Sequence, residues 1–260
     1  ENIEDMRVLA NSTASHDPKD MTSNLEKYEY SYEDYDFKGK KIGFIKTDSS
    51  LYEGIAEEVK KDYQKALDTL ESLGAELFPI DLEYVKFANP VYNVVMSSEV
   101  SSNMSRFDGV RFGYQADKYE SVEELFVKSR SEGLGEEVQR RIALGTMYLS
   151  ANDDQRIYRQ GLKLRSLIKN ELEEVFEEID LLITPTTTNL PPYLTDDEND
   201  PLSDFKADGF NVIVNLAGMC GLSLPVRKGI SGSVQFIANR FEDNKLINAS
   251  EKFLRSINEN

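Results

Sequence analysis

Residues 97–146 concentrate arginine in a chain that is otherwise strongly acidic. The guanidinium group of arginine is planar, permanently charged and shaped to hold a carboxylate through two parallel hydrogen bonds. Arginines close to loops and helix starts therefore indicate a site for an anionic small molecule. The alternative is that most of them pair with acidic neighbours on the surface. The sequence leaves both interpretations open for Arg106, Arg111, Arg130, Arg140 and Arg141.

Other site chemistries find little support in the sequence. The chain has one histidine, His16, and one cysteine, Cys220, so a His/Cys metal cluster is excluded and no metal site is predicted. A Ser-His-Asp site would have to use His16, which lies in a turn-like HDPKD stretch without a nearby nucleophile signature. The small-residue runs at 97–102 (SSEVSS) and 229–233 (GISGS) are predicted to serve turns and close packing.

Charge and hydropathy limit the functions that the chain can have. A formal charge of −17 repels nucleic-acid phosphates, so any tRNA role is expected to run through a partner. No apolar stretch approaches the roughly 20 residues that span a bilayer, which predicts no association with a membrane. The single cysteine fits a reducing compartment. The polar start without a methionine predicts that no signal peptide is present and that the chain is processed or truncated.

Hydrophobic periodicity predicts an α/β fold. A helix is expected where apolar residues recur every three or four positions from Ile55 to Leu70, with Gly74 as its C-terminal cap. Strands on both sides of it form a strand–helix–strand unit, which is typical of α/β sheets. The predicted strands are 38–46, 75–80, 180–184 and 233–238.

The remainder is interpreted as helices and connections within a single domain, 1–260. Residues 21–37 are predicted to be an exposed connection, and 185–207 a loop long enough to be functional or mobile. Ser121 and Glu124 have the spacing of a capping box. Helices are expected at 90–106, 121–130, 136–149 and 153–179, the last with a buried stripe of Ile157, Leu164, Ile168, Leu172, Val175 and Ile179.

Four sequence blocks resemble one known family. They are SSEVSSNMSRFDGVRFGY (97–114), RSEGLGEEVQRRIALGT (130–146), LRSLIKNELEEVFEEIDLLITPT (164–186) and DPLSDFKADGFNVIVNLAGMCGLSLP (200–225). In this order and spacing they are similar to the amidase-signature family, and within it to the glutaminase subunits of glutamyl/aspartyl-tRNA amidotransferases. The resemblance runs from about residue 16 to about residue 244. It implies a mixed β-sheet flanked by helices.

The resemblance also implies where the catalytic groups lie. Members of the family use a Ser–cis-Ser–Lys arrangement, in which lysine activates a bridging serine and that serine activates the nucleophile. Those residues belong to a Gly/Ser-rich signature upstream of the HDPKD-like turn, and this chain has no such signature. We therefore expect a C-terminal portion of the family's domain, with the N-terminal catalytic part missing. No catalytic residue is assigned in this chain, which is expected to be inactive alone.

Three residues occupy the positions of the family's substrate-binding groups. Arg141 in QRRIALGT resembles the anchor for the α-carboxylate of glutamine, Asp208 in FKADGFN resembles the residue that meets the α-ammonium group, and Tyr92 in NPVYNVV resembles the pocket wall. Each has a structural alternative. Arg141 fits an ordinary helix-surface ion pair, Asp208 fits a cap of the following helix, and Tyr92 fits the core.

The implied function is that of a glutamine-hydrolysing subunit. Ammonia from glutamine would pass to a kinase/amidotransferase partner subunit, which uses ATP and Mg²⁺ to convert Glu-tRNA(Gln) or Asp-tRNA(Asn) and holds the tRNA. A small third subunit would join these two. The chain itself is expected to need no cofactor. Its location is expected to be cytoplasmic, or an organellar matrix in a eukaryote. A stand-alone amidase of the same family, or a non-catalytic scaffold or binding module, remains an alternative.

Two departures from the family pattern affect the expected site. Residues 152–155 (NDDQ) replace a Gly-Tyr-Tyr-Asp-like run, and Met219, Cys220 and Gly221 replace a Leu-Pro-Gly run. The second change removes a rigid proline and introduces a thiol. A catalytic role for Cys220 is disfavoured, since the sequence places no basic partner close to it.

Overall fold

The computed structural model describes residues 2–25, 28–46, 54–150, 155–191, 207–230 and 232–259. The chain divides into two compact units. The first comprises residues 1–86 and 168–260, and the second comprises residues 87–167. The single domain expected over 1–260 stays a prediction, and the two units are described separately below.

The first unit contains a five-stranded mixed sheet with the strand order β2-β1-β3-β5-β4. β1 pairs in parallel with β2 and β3, whereas β5 pairs antiparallel to both β3 and β4. The α/β class and the mixed sheet expected from the sequence are thereby confirmed. The strands are β1 (Lys41–Ile45), β2 (Glu76–Ile80), β3 (Leu181–Pro185), β4 (Cys220–Pro225) and β5 (Ser233–Ala238).

Eight α-helices occur in the part of the chain that the structure describes. In chain order they are α1 (Ile3–Thr13), α2 (Glu57–Ser72), α3 (Ala88–Met104), α4 (Val122–Gly133), α5 (Glu136–Tyr148), α6 (Arg156–Val175), α7 (Asn211–Ala217) and α8 (Asp243–Glu259). In the first unit, α2 packs on β2, β3 and β5, and α8 packs on β4 and β5. No helix among the described residues combines the length and the apolarity needed to cross a membrane.

The predicted strand–helix–strand unit is confirmed, including its cap. Gly74 follows α2 with φ +89°, a left-handed conformation that glycine adopts without steric cost. The Gly74 amide donates to Glu71 O at 2.9 Å and the Ala75 amide to Leu70 O at 3.1 Å. This pair of bonds is the Schellman motif, which satisfies carbonyls at the helix end. It turns the chain directly into β2.

A chain of aromatic side chains fills the core of the first unit. Phe236 of β5 contacts Phe253 of α8 and Phe37, with ring centroids 5.0 and 6.5 Å apart, and all three rings are buried. Burying a phenylalanine contributes about 1.5–3 kcal/mol relative to leaving it exposed. Most of the described residues of the predicted 21–37 connection are exposed or half-buried, but its last residue, Phe37, anchors it in the core.

Several elements of the first unit were not predicted from the sequence, among them α1, β4 and α8. β4 lies in a stretch for which no strand was predicted, because Gly221 and Ser223 weaken the strand pattern. α8 lies almost entirely beyond the recognised blocks, although Leu246, Ala249 and Phe253 have helical spacing and are buried. Arg7 of α1 donates to Asn248 Oδ1 at 3.1 Å and Glu251 Oε2 at 2.5 Å, which ties α1 to α8.

The second unit is helical, and close packing of α3 against α5 is its main contact. Gly145 of α5 lies so near α3 that a Cβ atom there would be 1.9 Å from Ser97 O. Ser97 and Ser98 are buried, and Ser101 Oγ lies 3.0 Å from Thr146 Oγ1. The SSEVSS run therefore serves close packing, as predicted. The capping residue of α4 is also as predicted, since Ser121 Oγ accepts from the Glu124 amide at 3.1 Å.

The apolar stripe predicted for the long helix is only partly buried. Ile168, Leu172 and Ile179 are buried, whereas Leu164 and Val175 are half-buried. Ile157, in the first turn of α6, is 40% exposed, so its assignment to the core was wrong. Helical spacing indicates which side chains share a face, but it does not say how far along the helix the packing partner extends.

Gly145→Ala is expected to destabilise the chain by about 1–3 kcal/mol, because the added methyl group overlaps the Ser97 carbonyl. Gly135→Ala is the matched control, since a Cβ atom there has no neighbour within 4 Å. Urea unfolding of both variants measures the difference. Equal midpoints for the two would contradict the close approach of α3 and α5.

Candidate functional site

Arg141, the candidate carboxylate anchor, lies on α5 with part of its guanidinium group free. Its Nε donates to Glu137 Oε1 at 2.6 Å and its Nη1 to Met96 Sδ at 3.4 Å. Nη2 has no hydrogen-bond partner among the described residues. The ion pair with Glu137, four residues earlier, is the structural alternative weighed from the sequence, and it is present. It uses only one edge of the fork, and a thioether sulfur is a weak acceptor.

Glu137 is shared between two arginines, and this sharing sets the charge of the cluster. Arg140 holds it through two hydrogen bonds, Nε to Oε2 and Nη2 to Oε1, both 2.7 Å. The bonds from Arg140 and Arg141 lower the pKa of Glu137 to about 2. One carboxylate thus opposes two guanidinium groups, and the cluster keeps one net positive charge. An anionic ligand is the species that this charge attracts.

Tyr92, the candidate pocket wall, lies on α3 and is half-buried. It precedes Met96 by one helical turn, so the two side chains share a face of α3. Because Met96 accepts from Arg141, the packing of α3 on α5 brings the Tyr92 face towards the guanidinium group. Tyr92 is neither sealed in the core nor fully exposed, which suits a wall residue.

Asp208, the candidate ammonium-binding residue, is exposed in the turn before α7. Its backbone carbonyl accepts from the amides of Asn211 and Val212 at 2.9 and 3.1 Å. The N-cap residue of α7 is Phe210, and no side chain caps the helix. The capping role that the sequence left open is therefore not observed, and the Asp208 carboxylate has no partner in the described parts of the chain. Asp208 belongs to the first unit, whereas Tyr92 and Arg141 belong to the second.

The other arginines of 97–146 are engaged locally. Arg111 pairs with Asp108 at 3.3 Å, and Arg106 donates to Asn103. Arg130 Nη1 donates to the carbonyls of Met104 and Phe107 at 2.9 and 3.0 Å, where it satisfies carbonyl groups beyond α3. Surface pairing thus accounts for Arg111 and Arg140, and carbonyl capping accounts for Arg130. The five arginines do not form one anion site.

An open pocket of about 490 Å³ lies within the second unit. Its lining includes Ser101, Ser105, Asp108, Arg130 and Thr146, and none of the three candidate residues. The polar groups there are already engaged with one another or with nearby backbone. Asp108, for example, accepts from the Val110 and Arg111 amides as well as from the Arg111 side chain. The pocket therefore offers few free groups that would recognise a ligand.

The departures from the family pattern fall partly within the described structure. Asn152, Asp153 and Asp154 lie outside the described residues. Cys220 is half-buried in β4, where its Sγ donates to Asn239 O at 3.3 Å. Burial, with a smaller contribution from Asp243, raises the pKa of this thiol to about 12. A thiol that is protonated at neutral pH is a poor nucleophile, which agrees with the interpretation from the sequence.

Metal ligands were not expected, and the described residues contain no group of three or more His, Cys, Asp or Glu side chains that could hold an ion. Sequence reasoning missed Glu137, the partner of Arg141, although its spacing of four residues was readable. It also missed Gln235, a buried polar residue in the apolar strand β5, which contacts the turn that carries Asp208. A lone glutamine within SVQFIA was the available signal.

A family model described as "Amidase" matches residues 1–247. The chain belongs to this amidase family, and its sheet and helices are those of the amidase-signature fold. A bacterial aryl acylamidase of the amidase-signature family shares the fold at 19% identity, with a TM-score of 0.73 over 98% of this chain and 51% of the acylamidase chain.

Within the family, the chain is similar to the A subunit of glutamyl-tRNA(Gln) amidotransferase. It is 40% identical to that protein from Thermoanaerobacter pseudethanolicus over 255 residues, which cover 96% of this chain and 52% of the relative. It is 41% identical to the counterpart from Carboxydothermus hydrogenoformans over 257 residues, with the same coverage of both chains. The crystal structure of the Thermotoga maritima counterpart matches at 27% identity with a TM-score of 0.73, covering 96% of this chain and 50% of that one. The chain spans about half the length of the curated relatives it matches.

The pKa of Glu137 is expected to rise from about 2 towards its ordinary value in Arg140→Ala, because the larger part of the lowering comes from Arg140. Arg141 remains, so the pKa should stay below 4.5. A ¹³C NMR titration of the carboxyl group measures it. A folded-state pKa below the unfolded value means that this ion cluster stabilises the fold above about pH 4.5 and loses that contribution as the pH falls towards 2. An unchanged pKa in Arg140→Ala would contradict the shared geometry.

Proposed function

We propose that this chain is the substrate-recognising portion of the glutaminase subunit of a tRNA-dependent amidotransferase. The observation that carries the proposal is Arg141. Its guanidinium group holds one carboxylate on one edge and keeps Nη2 for another, within the block that resembles the family's carboxylate anchor. Similarity at 40% identity to a protein named as the A subunit of glutamyl-tRNA(Gln) amidotransferase supports the same assignment.

Glutamine recognition follows from matching opposite charges at the two ends of an amino acid. The α-carboxylate binds Arg141, where the cluster of two arginines and Glu137 is net positive. By the same resemblance, the α-ammonium group is assigned to the carboxylate of Asp208, which has no partner among the described residues. Tyr92 forms a wall beside the carbon chain. Binding both charged groups gives selectivity for a free amino acid, because an amide that lacks either group leaves a charge in the site without its partner.

The chemical step is assigned to other residues of the longer polypeptide. The nucleophilic serine, activated by the lysine through the bridging serine, attacks the side-chain amide of glutamine and releases ammonia. Water then hydrolyses the acyl-enzyme ester and releases glutamate. No residue of this chain is assigned as the lysine or as either serine, and no cofactor is assigned to the chain. Ammonia then passes to the kinase/amidotransferase partner, which binds ATP, Mg²⁺ and the mischarged Glu-tRNA(Gln) or Asp-tRNA(Asn) and forms the amide.

The acidic character of the chain supports this division of labour. A charge of −17 disfavours direct contact with tRNA, so the partner is assigned the tRNA-binding surface, and a small third subunit joins the assembly. Protein synthesis in the cytoplasm, or in an organellar matrix, is the setting that the proposal implies.

A stand-alone amidase of the same family is the second candidate function. It is favoured by the fold that the chain shares with an aryl acylamidase. A substrate panel of glutamine against neutral amides, assayed with the full-length protein, separates the two. Preference for neutral amides would replace the proposed function. A non-catalytic scaffold is the remaining alternative, and an absence of turnover on every amide would favour it.

In the full-length protein, Arg141→Ala is expected to lower kcat/KM for glutamine by about 2–4 kcal/mol, mostly through KM, because a charge-assisted anchor is lost. The measurement is steady-state ammonia release. Arg111→Ala is the matched control: it removes an arginine of the same segment that pairs on the surface with Asp108, outside the Glu137 cluster, and should leave KM within about twofold. Equal effects of the two substitutions would assign Arg141 to surface pairing.

The 260-residue chain alone is expected to hydrolyse no glutamine, because the nucleophile is assigned to a segment outside it. The assay compares ammonia release by this chain and by the full-length protein at equal concentration. Measurable turnover by the chain alone would show that its own residues perform the chemistry and would remove this part of the proposal.

A further inference from the structure

Gln235 forms a buried polar link between the sheet and the turn that carries Asp208. It lies in β5 with 5% of its surface exposed. Its Nε2 donates to Thr184 Oγ1 at 2.9 Å and to the backbone carbonyl of Phe210 at 3.0 Å. Since a carbonyl oxygen only accepts, the nitrogen of the amide must face Phe210. Thr184 and Phe210 are buried as well, so water cannot easily replace these bonds.

The hydrogen bond from Gln235 to Phe210 reaches the chain at the beginning of α7, two residues after Asp208. The turn from Asp208 to Val212 is closed by backbone bonds, in which Asp208 O accepts from the Asn211 and Val212 amides. No side chain caps the helix. Gln235 therefore supplies a side-chain hydrogen bond that fixes this turn on the sheet. Loss of that bond would leave the Phe210 carbonyl buried without this donor and free the turn to shift.

The Thr184 hydroxyl group is itself oriented by a hydrogen bond to the carbonyl group of the next residue. Its Oγ1 donates to Pro185 O at 3.0 Å, so the hydroxyl group presents its lone pairs to Gln235. Register pairs Thr184 of β3 directly with Gln235 of β5. The position of the amide is thus set by β3 and β5, each of which has a hydrogen-bonded strand on both sides.

We propose that Gln235 is a positioning residue for Asp208. It holds the turn so that the exposed carboxylate meets the ammonium group of the amino-acid substrate. This inference rests on the proposed function, and it assigns a specificity role to a side chain that does not itself touch the substrate. It accounts for a polar residue buried in a strand whose neighbours Val234, Phe236, Ile237 and Ala238 are all apolar.

The test uses the full-length protein and two amides. Glutaramate is glutamine without its α-ammonium group, so it cannot use Asp208. Gln235→Met keeps the length of the side chain and removes the donor. It is expected to lower kcat/KM for glutamine about 10-fold, through KM, and to leave glutaramate within about twofold. Asp208→Asn is expected to lower kcat/KM for glutamine about 30-fold or more and to leave kcat/KM for glutaramate within about twofold. The double variant should resemble Asp208→Asn alone within about threefold, since both changes act on one contact.

The outcomes distinguish a failure of the proposed ammonium site at Asp208 from a failure of the positioning role of Gln235. If Asp208→Asn leaves the glutamine-to-glutaramate ratio unchanged, the ammonium site of the proposed function is wrong, and the positioning role falls with it. Suppose instead that Asp208→Asn changes this ratio. Gln235 then supports the fold and does not position Asp208 if Gln235→Met lowers kcat/KM equally for both amides, or if its effect on glutamine multiplies fully with that of Asp208→Asn in the double variant.

Thr184→Val provides a second variant in case Gln235→Met fails to fold. It removes one of the two acceptors of Gln235 and preserves the shape of the side chain. Circular dichroism and thermal melting establish that the variant is folded. We expect kcat/KM for glutamine to fall about threefold and kcat/KM for glutaramate to stay unchanged. Equal losses on both amides would overturn the positioning role.

Discussion

The second unit depends on a contact that leaves no room for a side chain. Gly145 of α5 meets the Ser97 carbonyl of α3, and even a single methyl group there would overlap it. This approach brings the α3 face that carries Tyr92 and Met96 close enough for Met96 to accept a hydrogen bond from Arg141. The serine-rich and glycine-containing segments are therefore prerequisites for the candidate binding residues. Their small size is the property that this close approach requires.

In the arginine cluster, one acidic residue is shared between two adjacent arginines. Glu137 accepts two hydrogen bonds from the Nε and Nη2 edge of Arg140 and one from Nε of Arg141. The two adjacent arginines, although of one residue type, therefore differ in the number of hydrogen bonds that they donate to Glu137. Arginine counts along a sequence overstate the number of anion sites, since the remaining arginines of 97–146 are engaged by local carboxylates, amides and carbonyls.

Much of the fold followed from local patterns, and the exceptions have physical causes. β1, α2 and β2 were predictable because short apolar runs mark the two strands, helical periodicity marks α2, and Gly74 marks the turn between α2 and β2. β4 escaped because Gly221 and Ser223 carry too little apolar surface to show a strand pattern. Of the site, the Glu137–Arg141 pair was readable at helical spacing. The Gln235–Phe210 bond was not, because the two residues are distant in sequence and only the sheet brings them together. The roles of Tyr92, Arg141 and Asp208 came from the resemblance and stay predictions.

The pairing of β1 with β3 has a consequence for how the chain acquires its structure during synthesis. Ile42 and Leu181 are register partners, and the whole second unit lies between them in the chain. Contacts between such distant segments form late, because loop closure is entropically costly. The helices of the second unit rely on nearby partners and can form as soon as they leave the ribosome. β1 cannot pair with β3 until β3 has been synthesised. Until then, one edge of the apolar β1 stays unpaired.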